Sequence, residues 1–338
     1  MRRKLFLHIG SHRTATTSTQ EFMQQNFHRL LRQGLLYPFA VPRHRGLMLR
    51  IFSGEENAND VARDMHKRAD SKAHEVHSIA LSDEDISMRR DLSPLLPFLD
   101  HFDVKIVFTM RRQDLWLESW YYQNIKWQWI PHLSHCTFDE FLTRREDFHW
   151  IHYDTFLRRY ESRFGAENIL VNVFEKEQMP DGPVMAFVKK LGLADLSELQ
   201  TPPHVNSSLS AEMVEFTRHL PLDTLPPPER DILCRTLEEL DREILGNTER
   251  QSERLMPHDQ RRAILAEYSD GNRAVAQRYF QRDNLFLSAL PGPDAPLADL
   301  SIPTDSAALM KRYVGPLVQQ LVSRGTISAA HKRKPKGS

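Results

Sequence analysis

The sequence predicts an α/β fold: a parallel sheet flanked by helices, with a largely helical C-terminal part. Three observations predict it. The run Leu5 to Ile9 is apolar on both alternating sets, as a strand buried on both faces requires. It ends at Gly10, crosses a small-residue loop and enters a stretch where Phe22, Met23, Phe27, Leu30 and Leu31 recur at three- and four-residue steps. From Ser210 onward the patterns are helical.

In order along the chain, the first helix is expected to carry capping hydroxyls at Thr17, Ser18 and Thr19 and to close at Gly34 in the C′ position. A polar stretch runs from Ser53 to Glu75, and a strand follows near His77 to Ser82. Val104 to Met110 reads as another buried strand, with a helix starting near Asp114, whose side chain is placed to cap it. Asn168 to Phe174 alternates and ends at Glu175, as a further strand would. Ala211 to Leu220 is weakly periodic, whereas Ile232 to Leu245 and Arg261 to Phe280 show 3.6-residue spacing. Pro226-Pro227-Pro228 reads as a rigid link between helices. The Pro-rich stretch Leu290 to Pro296 reads as a boundary, giving an α/β domain over 1–290 and an appendage over 291–338. That appendage holds one short amphipathic helix near Ser306 to Val322 and a basic tail, His331 to Lys336, expected to be disordered.

A chain of 338 residues can bury a sizeable core, and its net charge of zero argues against general nucleic-acid binding. The charge is nonetheless uneven: residues 1–50 carry nine Lys or Arg against one acid, Glu21, a net of +8 suited to an anionic ligand. Two distant cysteines, Cys136 and Cys234, fit reduced thiols and a cytoplasmic setting. No segment approaches the roughly 20 apolar residues that span a bilayer. The N-terminal apolar run feeds the loop directly and reads as a core strand rather than a signal peptide.

The order strand, small-residue loop, helix presents backbone amides and a helix N-terminus to a phosphate-like anion. Counting a Walker A loop from Gly10 puts Ala15 at its second glycine and Thr16 at its lysine; the cation stands instead at Arg13. That disfavours an ATP-dependent small-molecule kinase. Arg111 and Arg112 follow the strand Val104 to Met110, and Ser119 lies eight residues after Arg111. An arginine at a strand end and a serine in the next helix can converge on one phosphate, the guanidinium as a charged fork and the hydroxyl as a further donor.

The segment His8-Ile9-Gly10-Ser11-His12-Arg13-Thr14-Ala15-Thr16-Thr17-Ser18-Thr19-Gln20 resembles the 5′-phosphosulfate loop of sulfotransferases that use 3′-phosphoadenosine 5′-phosphosulfate (PAPS), in their bacterial branch. Arg111 to Ser119, with Trp120 and Tyr121 after it, is similar to the family's 3′-phosphate motif. Softer similarities are Gly34-Leu35-Leu36-Tyr37-Pro38, Leu81-Ser82-Asp83-Glu84, Val205 to Ser210 and Asn272 to Phe286. The resemblance covers about the first 290 residues and implies a P-loop-like fold, PAPS as co-substrate and no metal. It implies that Gly10, Ser11, His12, Arg13, Thr14, Ala15, Thr16, Thr17 and Ser18 hold the 5′-phosphosulfate, and that Arg111 and Ser119 hold the 3′-phosphate. Two positions depart from it: Arg13 stands for the family's lysine and Ala15 for its glycine. Arg13 keeps the charge that stabilises the bridging oxygen but is a poor proton donor. Ala15 is strained if its φ must be positive. These departures motivate a second reading, a sulfotransferase-like protein that binds nucleotide without turnover.

A base must take the acceptor's proton. His44, in the basic stretch Val41-Pro42-Arg43-His44-Arg45, is the first candidate, because imidazole titrates near neutral pH. Glu84, just past a strand end, is the second, and His12 is placed to orient the sulfuryl group. His74 and His77, and the His132-His135-Cys136 cluster, lack the spacing of a zinc site. Trp116 and Trp120 read as core, whereas Trp127 and Trp129 could line a cleft for a sugar or aromatic acceptor. Acceptor identity, whether small molecule, lipid or glycan, and oligomeric state are not legible in the sequence.

Overall fold

The protein is seen here as a computed structural model describing residues 2–193, 195–200, 209–245 and 254–324. Two sequence expectations, Val205 to Ser208 and the basic tail, lie outside these residues. The chain divides into two compact units. The first combines 1–116, 146–204 and 262–290; the second combines 117–145, 205–261 and 291–338. The sequence alone divides the chain once, into 1–290 and 291–338.

The first unit is built on β1 (Lys4–His8), β2 (Leu35–Leu36), β3 (Ser78–Ser82), β4 (Asp103–Met110) and β5 (Ile169–Val173). They form one parallel sheet in the order β2-β3-β1-β4-β5. Central β1 pairs Lys4 with Ser78 of β3 and with Asp103 of β4. The chain first fills one side of β1 and then the other, so the carboxyl end of β1 is the switch point where open α/β sheets bind ligands.

The helices of this unit follow from patterning and caps. The stretch after the loop forms α1 (Thr16–Gln25) and α2 (Phe27–Arg32), separated at Asn26, whose side-chain amide donates to Phe22 O at 2.9 Å. Gly34 ends the pair at φ +79°, where an added Cβ would lie 1.9 Å from the His77 ring. Its glycine is therefore required both by backbone and by space. Beyond it come α3 (Arg45–Ser53) and α4 (Ala58–Asp70). The latter lies in the polar stretch: Asn57 caps it by accepting from Asn59 N, and Val61, Ala62, Met65 and Ala69 form its buried stripe. A short α5 (Phe98–His101) leads into β4, and α6 (Gln113–Trp127) follows it, passing into the second unit at Leu117.

One face of the sheet is covered by α1, α2 and the helix Gly182–Lys190, with Phe6, Phe22, Met23, Leu30, Val107 and Phe187 in a single core. Alternation puts Phe108 on the other face, against Phe156 of the helix Tyr153–Phe164 at 4.6 Å between ring centroids.

The second unit is helical. It contains most of α6 together with Pro131–Ser134, Phe138–Leu142, Ala211–Arg218 and Pro227–Leu245, and a helical stretch over 306–323 interrupted by a π turn at Met310–Val314. Pro227 and Pro228 open a helix rather than linking two, because the first turn needs no proline N–H. Inside the unit Glu118 and Arg261 form a buried ion pair at 2.6 Å, and Glu118 also accepts Leu255 N and Met256 N at 2.9 Å. These bonds offset the desolvation of both charges.

Candidate active site

Three segments leave the carboxyl ends of adjacent strands: Ile9 to Ala15 from β1, Asp83 to Asp85 from β3, and Arg111 from β4. The loop from β1 turns at Gly10, φ +46°, where a Cβ would sit 2.7 Å from Thr16 Cγ2 and 3.2 Å from Glu84 Cβ. Arg13 and Ala15 both adopt left-handed backbone, at φ 69° and 61°. That conformation costs a non-glycine residue roughly 1–2 kcal/mol, so Ala15 carries the strain that its glycine counterpart would avoid.

The carbonyl oxygens of this loop are tied back into the fold. Thr14 Oγ1 donates to Ser11 O at 2.6 Å, the Trp116 indole to His12 O at 2.9 Å, and Arg111 Nη1 to Arg13 O at 2.7 Å. The first bond of α1 runs from Thr19 N to Ala15 O at 3.1 Å. The amides of Thr16, Thr17 and Ser18 therefore precede the helical ladder at its N-terminal end. The expected hydroxyl caps are not made: the capping position falls on Ala15, with no side-chain cap and no acid in the first turn. A helix N-terminus with no side-chain cap and no acid in its own first turn leaves amides for an anion from outside.

Arg111 is placed by its own backbone. Tyr153 Oη accepts from Arg111 N at 3.0 Å and donates to Arg111 O, and the guanidinium lies 5.5 Å from the Phe174 ring centre. Arg112 turns the other way. It grips buried Asp114 through two bonds, at 2.8 and 3.1 Å, and donates to Ser288 O at 2.7 Å. Asp114 thus serves Arg112. Ser119 is a half-buried residue of α6 within the second unit.

The segment after β3 forms an ion cluster. Arg43 reaches Asp83 at 2.7 Å, Glu84 at 3.1 Å and Asp85 at 2.6 Å, and Arg45 reaches Asp85 at 3.2 Å. His12 Nε2 bonds Asp85 Oδ1 at 2.9 Å, so the His12 ring is committed to this cluster. Buried Glu84 also accepts from Gln20 Nε2 at 2.6 Å. Burial pushes the Asp83 carboxyl up to about 6 despite Arg43. Burial acts upward on Asp85 as well, but the His12 hydrogen bond and the Arg43 guanidinium outweigh it and hold that carboxyl well below the usual range. The N-terminal surplus of cations is largely consumed in this way, and Arg3, Arg32 and Arg50 pair with Asp70, Glu198 and Glu56.

His44 is not placed as a base. Its Nδ1 accepts from Ser82 N at 3.0 Å and its Nε2 donates to Pro38 O at 2.9 Å, which fixes one neutral tautomer. It is 1% exposed, and burial lowers it to about 4. With both ring nitrogens engaged by backbone, it braces the fold. Glu84, beside Gly10 and Thr16, is the candidate base that the strand ends bring to the loop.

The roles of Arg43, Asp85, Tyr153, Gln20 and the bond from Trp116 are not visible in the sequence. Only Arg43, adjacent to His44 in a basic run, carried a local signal. Trp116 and Trp120 are buried as expected, and in the second unit Trp127 stacks on half-exposed Trp129 at 5.4 Å. Among the described residues no three His, Cys, Asp or Glu side chains form a metal-binding group, and no helix is long and apolar enough to cross a membrane.

No protein-family model matches the chain. An uncharacterized protein of Archaeoglobus fulgidus is 27% identical over 190 residues, 54% of this chain and 48% of the relative. The match thus spans about half of that relative's length. Among solved structures, a sulfotransferase from Alicyclobacillus acidocaldarius matches with a TM-score of 0.40 and 16% identity, over 61% of this chain and 87% of that one.

Proposed function

We propose that this chain is a PAPS-dependent sulfotransferase whose first unit holds the 5′-phosphosulfate over the loop from Gly10 to Ser18. The observation that carries the reading is the bond from Arg111 to the Arg13 carbonyl: it joins two segments 98 residues apart, each read independently as an anion cradle. Amides of the loop and of the α1 N-terminus would bind the sulfuryl and phosphate oxygens, and Arg13 would stabilise charge on the bridging oxygen as the sulfuryl group leaves. The bond from sulfur to the nucleotide's bridging oxygen breaks, a bond from sulfur to an acceptor hydroxyl or amine forms, and Glu84 takes the acceptor's proton. Arg111 would hold the 3′-phosphate; Ser119, paired with it by motif spacing alone, belongs to the second unit. The acceptor is a small molecule, lipid or glycan.

A second reading, nucleotide binding without turnover, is favoured by the left-handed Arg13 and Ala15. A thermal-shift comparison of adenosine 3′,5′-bisphosphate, AMP, ATP and ATP with Mg²⁺ tests the site, since ligand stabilisation follows affinity. A shift confined to the bisphosphate supports both readings against the kinase. Transfer of labelled sulfate from PAPS to a panel of acceptors separates the first reading from the second, and recovery of transfer in Arg13→Lys alone would favour the second.

A further inference from the structure

A cavity of about 540 Å³ opens beside the carboxyl end of β2, with Phe27, Leu36, Tyr37, Phe39, Arg68 and Lys72 among its walls. Small-molecule pockets commonly enclose about 300–1,000 Å³. Gln24, which also lines it, stands eight residues along α1 from Thr16, or about 12 Å at the rise of an α-helix, so the cavity is separate from the amide loop.

Its wall is strained and braced. Phe39 and Ala40 are consecutive non-glycine residues in left-handed backbone, at φ 70° and 52°. Such backbone persists only where its surroundings over-determine it, and it concentrates at ligand clamps. Three hydrogen bonds hold the arc: His44 Nε2 to Pro38 O at 2.9 Å, Tyr37 Oη to Pro42 O at 2.5 Å, and Gln24 Nε2 to Ala40 O at 3.1 Å. The rim is cationic. Arg68 lies 4.8 Å over the Phe39 ring and Lys72 6.0 Å over that of Phe27. Arg68 is paired with Asp64 at 2.6 Å, while Lys72 has no carboxylate partner among the described residues.

We propose that this pocket binds a small amphiphilic anion, with a flat apolar body between Phe27 and Phe39 and a carboxylate, sulfate or sulfonate at Lys72 and Arg68. The proposal does not depend on the sulfotransferase reading. Calorimetric titration of the full chain with naphthalene-2-sulfonate, naphthalene-2-methanol and 2-naphthylmethylammonium tests it. The sulfonate is expected to bind saturably at one site, the alcohol at least about tenfold more weakly, and the ammonium not at all. Lys72→Glu and Phe39→Gly, the latter compatible with the left-handed backbone, should each weaken the sulfonate by about tenfold or more, in proteins that still unfold cooperatively. No saturable binding below about 1 mM, equal binding of alcohol and sulfonate, or indifference to Lys72→Glu would each overturn the proposal. So would displacement of the sulfonate by adenosine 3′,5′-bisphosphate, which would assign it to the loop.

Discussion

Arg111 Nη1 donates to the carbonyl oxygen of Arg13 at 2.7 Å, so the cation at the end of β4 helps set the peptide plane of the loop that follows β1. Arg111→Ala removes both a charge and this brace. Bonds to charged groups contribute about 1.5–3 kcal/mol, so the variant is expected to bind adenosine 3′,5′-bisphosphate at least about tenfold more weakly in calorimetry. Arg111→Lys should recover only part of the loss, because an ammonium cannot offer the guanidinium's planar fork.

Ala15→Gly relieves left-handed strain at the capping position of α1. Despite the extra chain entropy of glycine, a gain of about 1 kcal/mol is expected in urea melts. A loss of stability would show that the loop relaxes elsewhere.

Glu84→Gln preserves shape and removes the proton acceptor. The expected outcome is a fall in sulfate transfer of about 10²-fold or more with bisphosphate binding retained, measured as initial rate against calorimetric affinity. Transfer at the parental rate would exclude Glu84 as the base.

His44→Ala leaves Ser82 N–H and Pro38 C=O without their partner, each at a cost of about 1–3 kcal/mol. A large loss of stability is therefore expected in the same melts. In the unmutated protein, the pH profile of transfer should carry no inflection near 6.5 from His44, because burial holds it near 4.

Acid should destabilise the fold. Burial lowers His8 and His44 to about 4, and His149 shifts in the same direction. Between the unfolded value near 6.5 and about 4 the unfolded chain binds the extra protons, so stability falls as pH drops, by up to about 1.4 kcal/mol per pH unit for each fully buried imidazole. Asp83 opposes this. Burial raises it to about 6, so its contribution is full at low pH and is lost as pH rises through that value. Two deeply buried imidazoles against one carboxyl leave a net decline, to be read from urea midpoints between about pH 7 and pH 4.5. A rise in midpoint across that window would contradict the burial of the two rings.

The strands β1 and β4 were legible because strands buried on both faces read as unbroken apolar runs, whereas β5 was legible by alternation. β2 was not, since two residues carry no pattern. α4 was hidden because its buried stripe consists largely of small side chains, Ala58, Ala62 and Ala69 alongside Val61 and Met65, inside a charged surface. The loop was legible from Gly10 through Ser18; of its two left-handed turns, the one at Ala15 was signalled only by the glycine it replaces, and the one at Arg13 left no mark. The ion cluster was opaque for another reason: Arg43, Asp85 and His12 come from three separate segments, and only folding joins them. The same holds for His44, whose partners are backbone groups that any residue type would supply.

β2 accompanies β3 only at Ser78 and Ile79, and farther along that side His44 takes over. Its amide donates to Ser82 O at 2.9 Å while its ring receives Ser82 N–H. One residue thereby imitates a neighbouring strand and seals a border that would otherwise invite pairing by a foreign chain. Removing the imidazole would bare the Ser82 N–H at this border while the bond from the His44 amide to Ser82 O remains.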